Sequence, residues 1–422
     1  MEYKPIKDFG VIVTGKTPAT DVSDFWNGEI PFITPSDYGY NDRYLQHIER
    51  KITNKAVKSQ SKTLIPKDSV CITCIGSTVG KVCMTSEESI TNQQINSIIC
   101  NKRYDALYVF YLIKNYLSFL QMYGSGTGSG LPIISKSKFE RIKFPIHPNV
   151  DIQRNISSVL DKYDTLIEVN NKRIKLFEQM AEELYKEWFV RFRFPGYETA
   201  EFVDGRLGKI PKAFQIVKMQ DVFDYYVGGG WGNDDEDTEF SKAAYVIRGT
   251  DFPAIQKGDI SSCPYRYHKP SNFKARKLEA EDIILEVSGG TAEQPVGRTV
   301  YVDKSIIDRF NGDVICASFC KQIRLKKDII APIYFYYWMQ FLYQTRIIDR
   351  FQMQSTGIIN FKFEYFLKKG DVMLPTQDLM NAFAQKVIPI RSEIMTLAKQ
   401  NENLIKQRDL LLPRLMSGKL EV

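Results

Sequence analysis

Gly10-Val11-Ile12-Val13-Thr14-Gly15-Lys16-Thr17 fits the phosphate-loop pattern G-x-x-x-x-G-K-[ST] letter for letter. That chemistry needs a strand before the loop, exposed backbone N–H groups within it and a helix after it. Here the four middle residues are Val, Ile, Val and Thr, which read as strand, and Pro18 and Pro35 disfavour a long helix directly afterwards. Gly76-Ser77-Thr78-Val79-Gly80-Lys81-Val82 is one residue short of the same pattern and ends in Val. Cys71-Ile72-Thr73-Cys74 looks like half of a zinc site, but it sits in a run that reads as a strand, where residues three apart point to opposite faces. No second such pair exists, and His47, His147 and His268 stand alone. The seven cysteines, an odd number, read as reduced and buried thiols. A Gly-rich methyl-donor loop with an Asn-Pro-Pro-aromatic motif is missing, as is a convincing metal-dependent nuclease motif. The chain is therefore expected to be non-catalytic, with no cofactor of its own.

Polar and basic residues beside glycine-rich turns offer different chemistry. Asn and Gln can bind adenine bidentately, and Lys or Arg can bind guanine or phosphate. Glycine lets a backbone approach closely. Candidates of this kind in the first half are Lys16, Thr17, Ser36, Ser77, Thr78 and Lys81, then Asn92, Gln93 and Gln94, and then Ser125, Thr127, Lys136 and Lys138. The plain alternative for any one of them is solvated loop polarity.

The elements that must position these residues come twice. Ile156, Leu160, Tyr163, Ile167, Asn170, Ile174, Phe177, Ala181, Leu184 and Trp188 step 4-3-4-3, and so do Phe383, Val387, Ile390, Ile394, Leu397, Asn401, Leu404, Arg408, Leu411 and Leu415, at an offset of 227. This is the heptad signature of a coiled-coil seam. Shorter matches precede it. Phe32 to Tyr38 matches Val246 to Phe252 and Asp68 matches Asp282, both at an offset of 214. Val79-Gly80-Lys81 matches Val296-Gly297-Arg298 at 217, and Phe110-Tyr111 matches Phe335-Tyr336 at 225. A growing offset is what loop insertions in a second copy produce, so the chain reads as a tandem duplication. Loops differ most: Gly15-Lys16-Thr17-Pro18 stands where the second copy has Gly229-Gly230-Trp231-Gly232, followed by the acidic run Asp234-Asp235-Glu236-Asp237. Candidates in the second copy are Trp231, Arg248 and Thr250, then Thr291, Gln294 and Arg298, and then Ser355, Thr356, Asn360 and Lys362.

At 422 residues two or more domains are expected. A net charge of +7 is compatible with nucleic acid without demanding it. No secretory leader and no bilayer-spanning apolar run is read, so a cytoplasmic chain is expected. Asp105 to Gln121 reads as one buried helix, and Gly124 to Gly130 as a flexible loop. The fold class expected is α+β: two repeated mixed domains separated by two long antiparallel coiled-coil helices, with pseudo-twofold symmetry. The expected boundaries are 1–148, 149–190 for the central helix, 191–210 for a linker, 211–376, and 377–422 for the carboxy-terminal helix and tail.

These residues resemble a family. Gly15 to Pro18 with Phe32 to Asp37, Leu166 to Phe189, and Leu411 to Leu420 together look like the specificity subunit of Type I restriction–modification systems, and they run in that order along essentially the whole chain. The resemblance implies two target recognition domains, each reading half of a split double-stranded DNA site. It implies spacer helices on which two modification (methyltransferase) subunits dock, with restriction or translocase subunits as further partners. The methyl donor, ATP and magnesium would then belong to partner subunits. Rival readings are a fused restriction/methyltransferase enzyme and a coiled-coil adaptor that binds no DNA. Pro389 departs from the pattern and is expected to bend or restart the second helix.

Twofold-related helices run antiparallel, so facing residues have numbers with a constant sum. A polar seam residue is costly unless it meets another. Pairing Asn170 with Asn401 sets that sum at 571 and also pairs Ile156 with Leu415, Ile167 with Leu404, Ile174 with Leu397 and Trp188 with Phe383. A seam of 33 residues would span about 48 Å at roughly 1.5 Å per residue, more than the roughly 34 Å of one DNA turn.

Overall fold

The computed structural model describes residues 1–45, 48–126, 130–205, 208–291, 294–355 and 358–422. It divides into two compact units: Met1–Glu168 with Asn403–Val422, and Val169–Glu402. No helix among the described residues is long and apolar enough to cross a membrane.

In the first unit a four-stranded sheet runs in the order Gly10–Thr14, Ile95–Cys100, Val70–Thr73, Val82–Met84. Its neighbours are antiparallel. A second sheet runs Lys51–Ile52, Trp26–Ile33, Ser89–Thr91, Leu64–Ile65, and here Phe32 and Ile33 pair in parallel with Ile90 and Thr91. Glu2–Pro5 pairs with Lys143–Ile146. Two cores flank the four-stranded sheet. One gathers Val70, Ile72 and Cys74 with Tyr108 to Ile113 of the helix Ala106–Asn115. The other gathers Cys71, Cys83, Ile95, Ile33 and Tyr38. Alternation along the strand thus sends Cys71 and Cys74 into different cores, and burial pushes the Cys74 thiol up to about 12, so it is a packed neutral thiol.

The second unit repeats this plan. Its four-stranded sheet runs Phe223–Gly228, Cys320–Leu325, Asp282–Glu286, Thr299–Val302. Its second sheet runs Tyr265–His268, Lys242–Ile247, Val314–Cys316, again with a parallel pairing, Tyr245 to Ile247 beside Val314 to Cys316. Gln215–Lys218 pairs with Asp371–Leu374, and the buried helix is Pro332–Gln344. One sequence match slips by a residue. Asp68 and Glu281, not Asp282, share the left-handed turn before the strand, with φ of 63° and 77°. Their N–H groups donate to Thr85 and Val302 at 2.9 and 2.7 Å. The turn keeps an acidic residue in both units.

The long helices are Val150–Tyr185, continued by a wider π-helical turn Lys186–Val190, and Gln377–Met416. Asn149 Oδ1 caps the first, accepting from Asp151 N at 2.7 Å. Within the second unit the helices run antiparallel: Asn170 faces Asn401, and Trp188 packs on Phe383 with ring centroids 6.1 Å apart. Asn170 Nδ2 donates to Asn401 Oδ1 at 3.0 Å, and Asn401 Nδ2 donates to Asn171 Oδ1 at 2.8 Å. Ile174 and Leu397 share one core there. In the first unit Ile156 and Leu415 share another.

Four expectations are corrected. Asp105 to Gln121 is two helices, Ala106–Asn115 and Leu117–Ser125, because Tyr116 leaves the helical region (φ −105°, ψ 21°). Gly124 and Ser125 belong to the end of the second of these, not to a loop. The helix Gln377–Met416 runs unbroken through Pro389, because Pro389 and Gln385 both face solvent, where water can satisfy the carbonyl that loses its donor. In the seam, Asp164 is buried where Tyr163 was expected.

Candidate nucleic-acid interface

Gly10–Thr14 pairs along its whole length with Ile95–Cys100, so it is an extended edge strand and not a loop whose successive N–H groups could cradle a phosphate. The turn after it is a close approach. A Cβ on Gly15 would lie 2.2 Å from the Thr91 carbonyl oxygen, and one on Gly229 would lie 2.1 Å from that of Ala317. The same glycine thus brings the same strand end against the parallel pair in each unit, and different side chains follow it.

In the first unit most candidates form one chain of hydrogen-bonded loops. Thr17 Oγ1 donates to Gln93 Oε1 at 2.7 Å. Asn92 Nδ2 donates to Gln94 Oε1 at 2.9 Å, and the Gln94 carbonyl accepts from Cys74 N at 2.7 Å. That bond ties them to the Gly76–Lys81 turn, where Ser77 is exposed and Thr78 half-buried. Lys81 Nζ donates to the carbonyls of Pro35 (3.1 Å) and Tyr38 (2.5 Å), and Ser36 Oγ lies 2.8 Å from Thr34 Oγ1. Gly76 N donates to Pro132 O, and Ile133 N to Gly124 O, which brings Ser125 to the same side. Lys16 is exposed at the start of the chain of loops. Lys136 and Lys138 are exposed on the separate short helix Lys136–Arg141, whose neighbour Ile142 accepts from Ile6 N. Thr127 lies outside the described residues.

In the second unit Trp231 is 41% exposed. Thr250, Thr291, Gln294 and Lys362 are exposed, and Thr291 Oγ1 accepts from Gln294 N at 3.1 Å. Asn360 Oδ1 accepts from Ser288 Oγ at 2.7 Å. Ser355 ends the strand Gln352–Ser355, and Thr356 lies outside the described residues.

Four candidates are held by the protein itself. Arg298 is bidentate to Glu286 at 2.8 and 2.6 Å. Arg248 is bidentate to Asp251 at 3.0 and 2.9 Å and also donates to the Ser262 carbonyl. Lys81 is spent on two carbonyls, and Asn92 is buried. These side chains brace loops, and the charges of the two arginines are already compensated. The hydrogen bond and charge of the Arg248 guanidinium, outweighing burial, hold the Asp251 carboxyl below its usual range.

Sequence reasoning missed two cations. Arg50, exposed, donates to Thr34 Oγ1 at 2.8 Å and stacks over Phe32. The Arg266 guanidinium lies 4.5 Å over the Trp231 ring and pairs with Asp234. The signal for Arg266 was Tyr265-Arg266-Tyr267-His268-Lys269, a strand of basic and aromatic residues in alternation. The acidic run answers that strand, since Glu239 likewise pairs with Lys269.

Comparison with known proteins agrees with this arrangement. Residues 1–179 match the Type I restriction modification DNA specificity domain. The chain is 27% identical over 430 residues to the Type I restriction enzyme MjaIX specificity subunit of Methanocaldococcus jannaschii, covering 100% of this chain and 94% of that one. It is 30% identical over 207 residues to the EcoR124I/EcoR124II specificity subunit of Escherichia coli, covering 47% and 50%. Among solved structures, the Type-I restriction-modification system S subunit from M. genitalium matches with a TM-score of 0.58 at 13% identity, covering 98% of this chain and 95% of that one, a likeness of fold.

Proposed function

We infer that this chain, a member of the specificity-subunit family of Type I restriction–modification systems, is the DNA reader of such a system. It binds DNA sequence-specifically, and the reading extends to a bipartite target, one half to each repeat. The observation that carries this extension is the recurrence of one strand order in two units whose polar loops differ. The recognition domains are taken as residues 1–148 and 211–376, with the helices of 149–190 and 377–422 as coiled-coil spacers in a pseudo-twofold arrangement. Partners are two modification subunits, joined by restriction subunits when cleavage occurs. The chemistry is theirs, so this chain itself takes neither methyl donor nor ATP.

Lys16, Thr17, Gln93 and Ser77 in one unit, and Trp231, Thr250, Thr291 and Lys362 in the other, are the proposed DNA contacts, with Arg50 added. Phosphate contacts supply most of the affinity and base-edge contacts the discrimination. The test is selection of duplexes from a randomised pool by the purified chain. Two short conserved blocks separated by an unspecified gap are expected. Lys16→Ala should weaken binding to every duplex and lower the salt slope by about one. A single uninterrupted block, or ATP binding lost with Lys16, would overturn the reading.

A further inference from the structure

The strands Gln352–Ser355 and Ile358–Phe361 pair antiparallel, with Met353 opposite Asn360 and Ser355 opposite Ile358, while Ser288–Gly290 pairs along the other edge of Ile358–Phe361 through Asn360 and Ile359, so that only the tip beyond Ile359 is a two-stranded ribbon. Alternation divides it into two faces. Phe361 and Ile359 turn inward and pack into the core of the second unit. Met353 and Ile358 turn outward and are 51% and 50% exposed. Single exposed apolar residues are ordinary, but this position recurs. Phe361 N donates to the Val287 carbonyl at 2.9 Å, and in the first unit Ile134 N donates to the Cys74 carbonyl at 2.7 Å. Three residues before each of these anchors stand Ile358 and Leu131, and Leu131 is 66% exposed. Two loops that share almost no sequence therefore present a large aliphatic side chain to solvent at one structural position.

What covers that face follows from its surroundings. Asn360 shares the outward face, and Lys362 and Arg350 are exposed nearby in the chain, a setting suited to a polyanion. The protruding tip of this sheet is two-stranded, and a two-stranded ribbon is one of the two elements the major groove of B-DNA admits; the apolar group displayed there is the thymine 5-methyl. We propose that this ribbon enters the major groove and that Met353 and Ile358 read thymine methyl groups in one half of the target. The proposal rests on the chain being a DNA reader.

The experiment uses the full chain and the duplex it enriches from a randomised pool. Each thymidine is replaced in turn by deoxyuridine, which removes only the methyl group. In one half-site, one or two replacements are expected to weaken binding about fourfold each, the worth of one buried methyl-sized group. Met353→Ser with Ile358→Ser should bind the thymidine duplex more weakly by the same factor and respond no further to deoxyuridine, as a double-mutant cycle requires. Its salt slope should stay that of the unaltered chain, since no phosphate contact is lost, and its reading of the other half-site should persist, which shows the variant is folded. Undiminished deoxyuridine sensitivity in the variant would overturn the proposal. So would a change in self-association or partner capture with duplex binding intact. If the unaltered chain enriches no duplex at all, the DNA reading itself falls, a result distinct from either.

Discussion

Arg408 is 1% exposed, towards the end of the helix Gln377–Met416. It pairs with Asp164, whose other oxygen accepts from the Tyr111 hydroxyl at 2.7 Å, and it donates to Asn41 Oδ1 at 3.2 Å. Removing one partner from such a pair leaves a buried charge uncompensated. Asp164→Asn is expected to cost about 3–5 kcal/mol, whereas Asp164→Leu together with Arg408→Met should come close to neutral, both read from urea unfolding. Lys114 sits beside this network, and its Nζ has no hydrogen-bond partner. Burial, then the Arg408 charge, lower its pKa to about 8 from 10.5. Between those values the unfolded chain binds the proton and the folded chain does not, so stability rises with pH: the penalty this group puts on folding is full below about 8 and fades as pH climbs towards 10.5. Lys114→Met should therefore stabilise at pH 7, by up to roughly 3 kcal/mol, and the gain should shrink by pH 9.5. An equal gain at both values would show that the penalty is not one of charge.

At the scale of elements, the helix seam tests the same idea with neutral groups. Asn170 and Asn401 are both nearly buried and bond to each other. Asn401→Leu leaves Asn170 without that partner and should cost about 1–3 kcal/mol, while Asn170→Leu with Asn401→Leu should be neutral or stabilising. If the double variant were worse than the single, the pair would be supplying stability rather than register. This seam was legible in the sequence because heptad spacing and two lone asparagines leave few solutions. The strand ends were legible too, since glycine is the residue that tolerates the approach at Gly15 and Gly229. The loops were not. Nothing local distinguishes Lys81, bound to two carbonyls, from Lys16, which is exposed, because the difference lies in how the Pro35–Tyr38 turn folds over the sheet. Arg298 and Arg248 were misread for the same reason: their carboxylates, Glu286 and Asp251, become partners only through tertiary structure or a local turn. Pro389 was over-read, since its effect depends on which way the orphaned carbonyl faces.

At the scale of the whole molecule, the chain is one plan used twice with its loop surfaces changed. The two four-stranded sheets share an order, the parallel pairs recur, and the glycine approach recurs. The loops beside them share little: Gly15 leads to an exposed lysine, Gly229 to a tryptophan stacked by Arg266 and answered by acids. Sheet and core residues must satisfy packing in both copies, so they stay alike. Loop residues answer only to what they touch, so they are free to differ. Each unit also has its own cores, so one can change without repacking the other's sheet. On the proposed function, replacing residues 211–375 with the matching stretch of one of the specificity subunits this chain resembles should then change one half of the enriched DNA site and leave the other half and the gap as they were. Selection from a randomised pool, run on the chimera and on the unaltered chain side by side, reads this directly. A change in both halves would mean that the units read jointly, and a change in neither would place recognition outside the loops altogether.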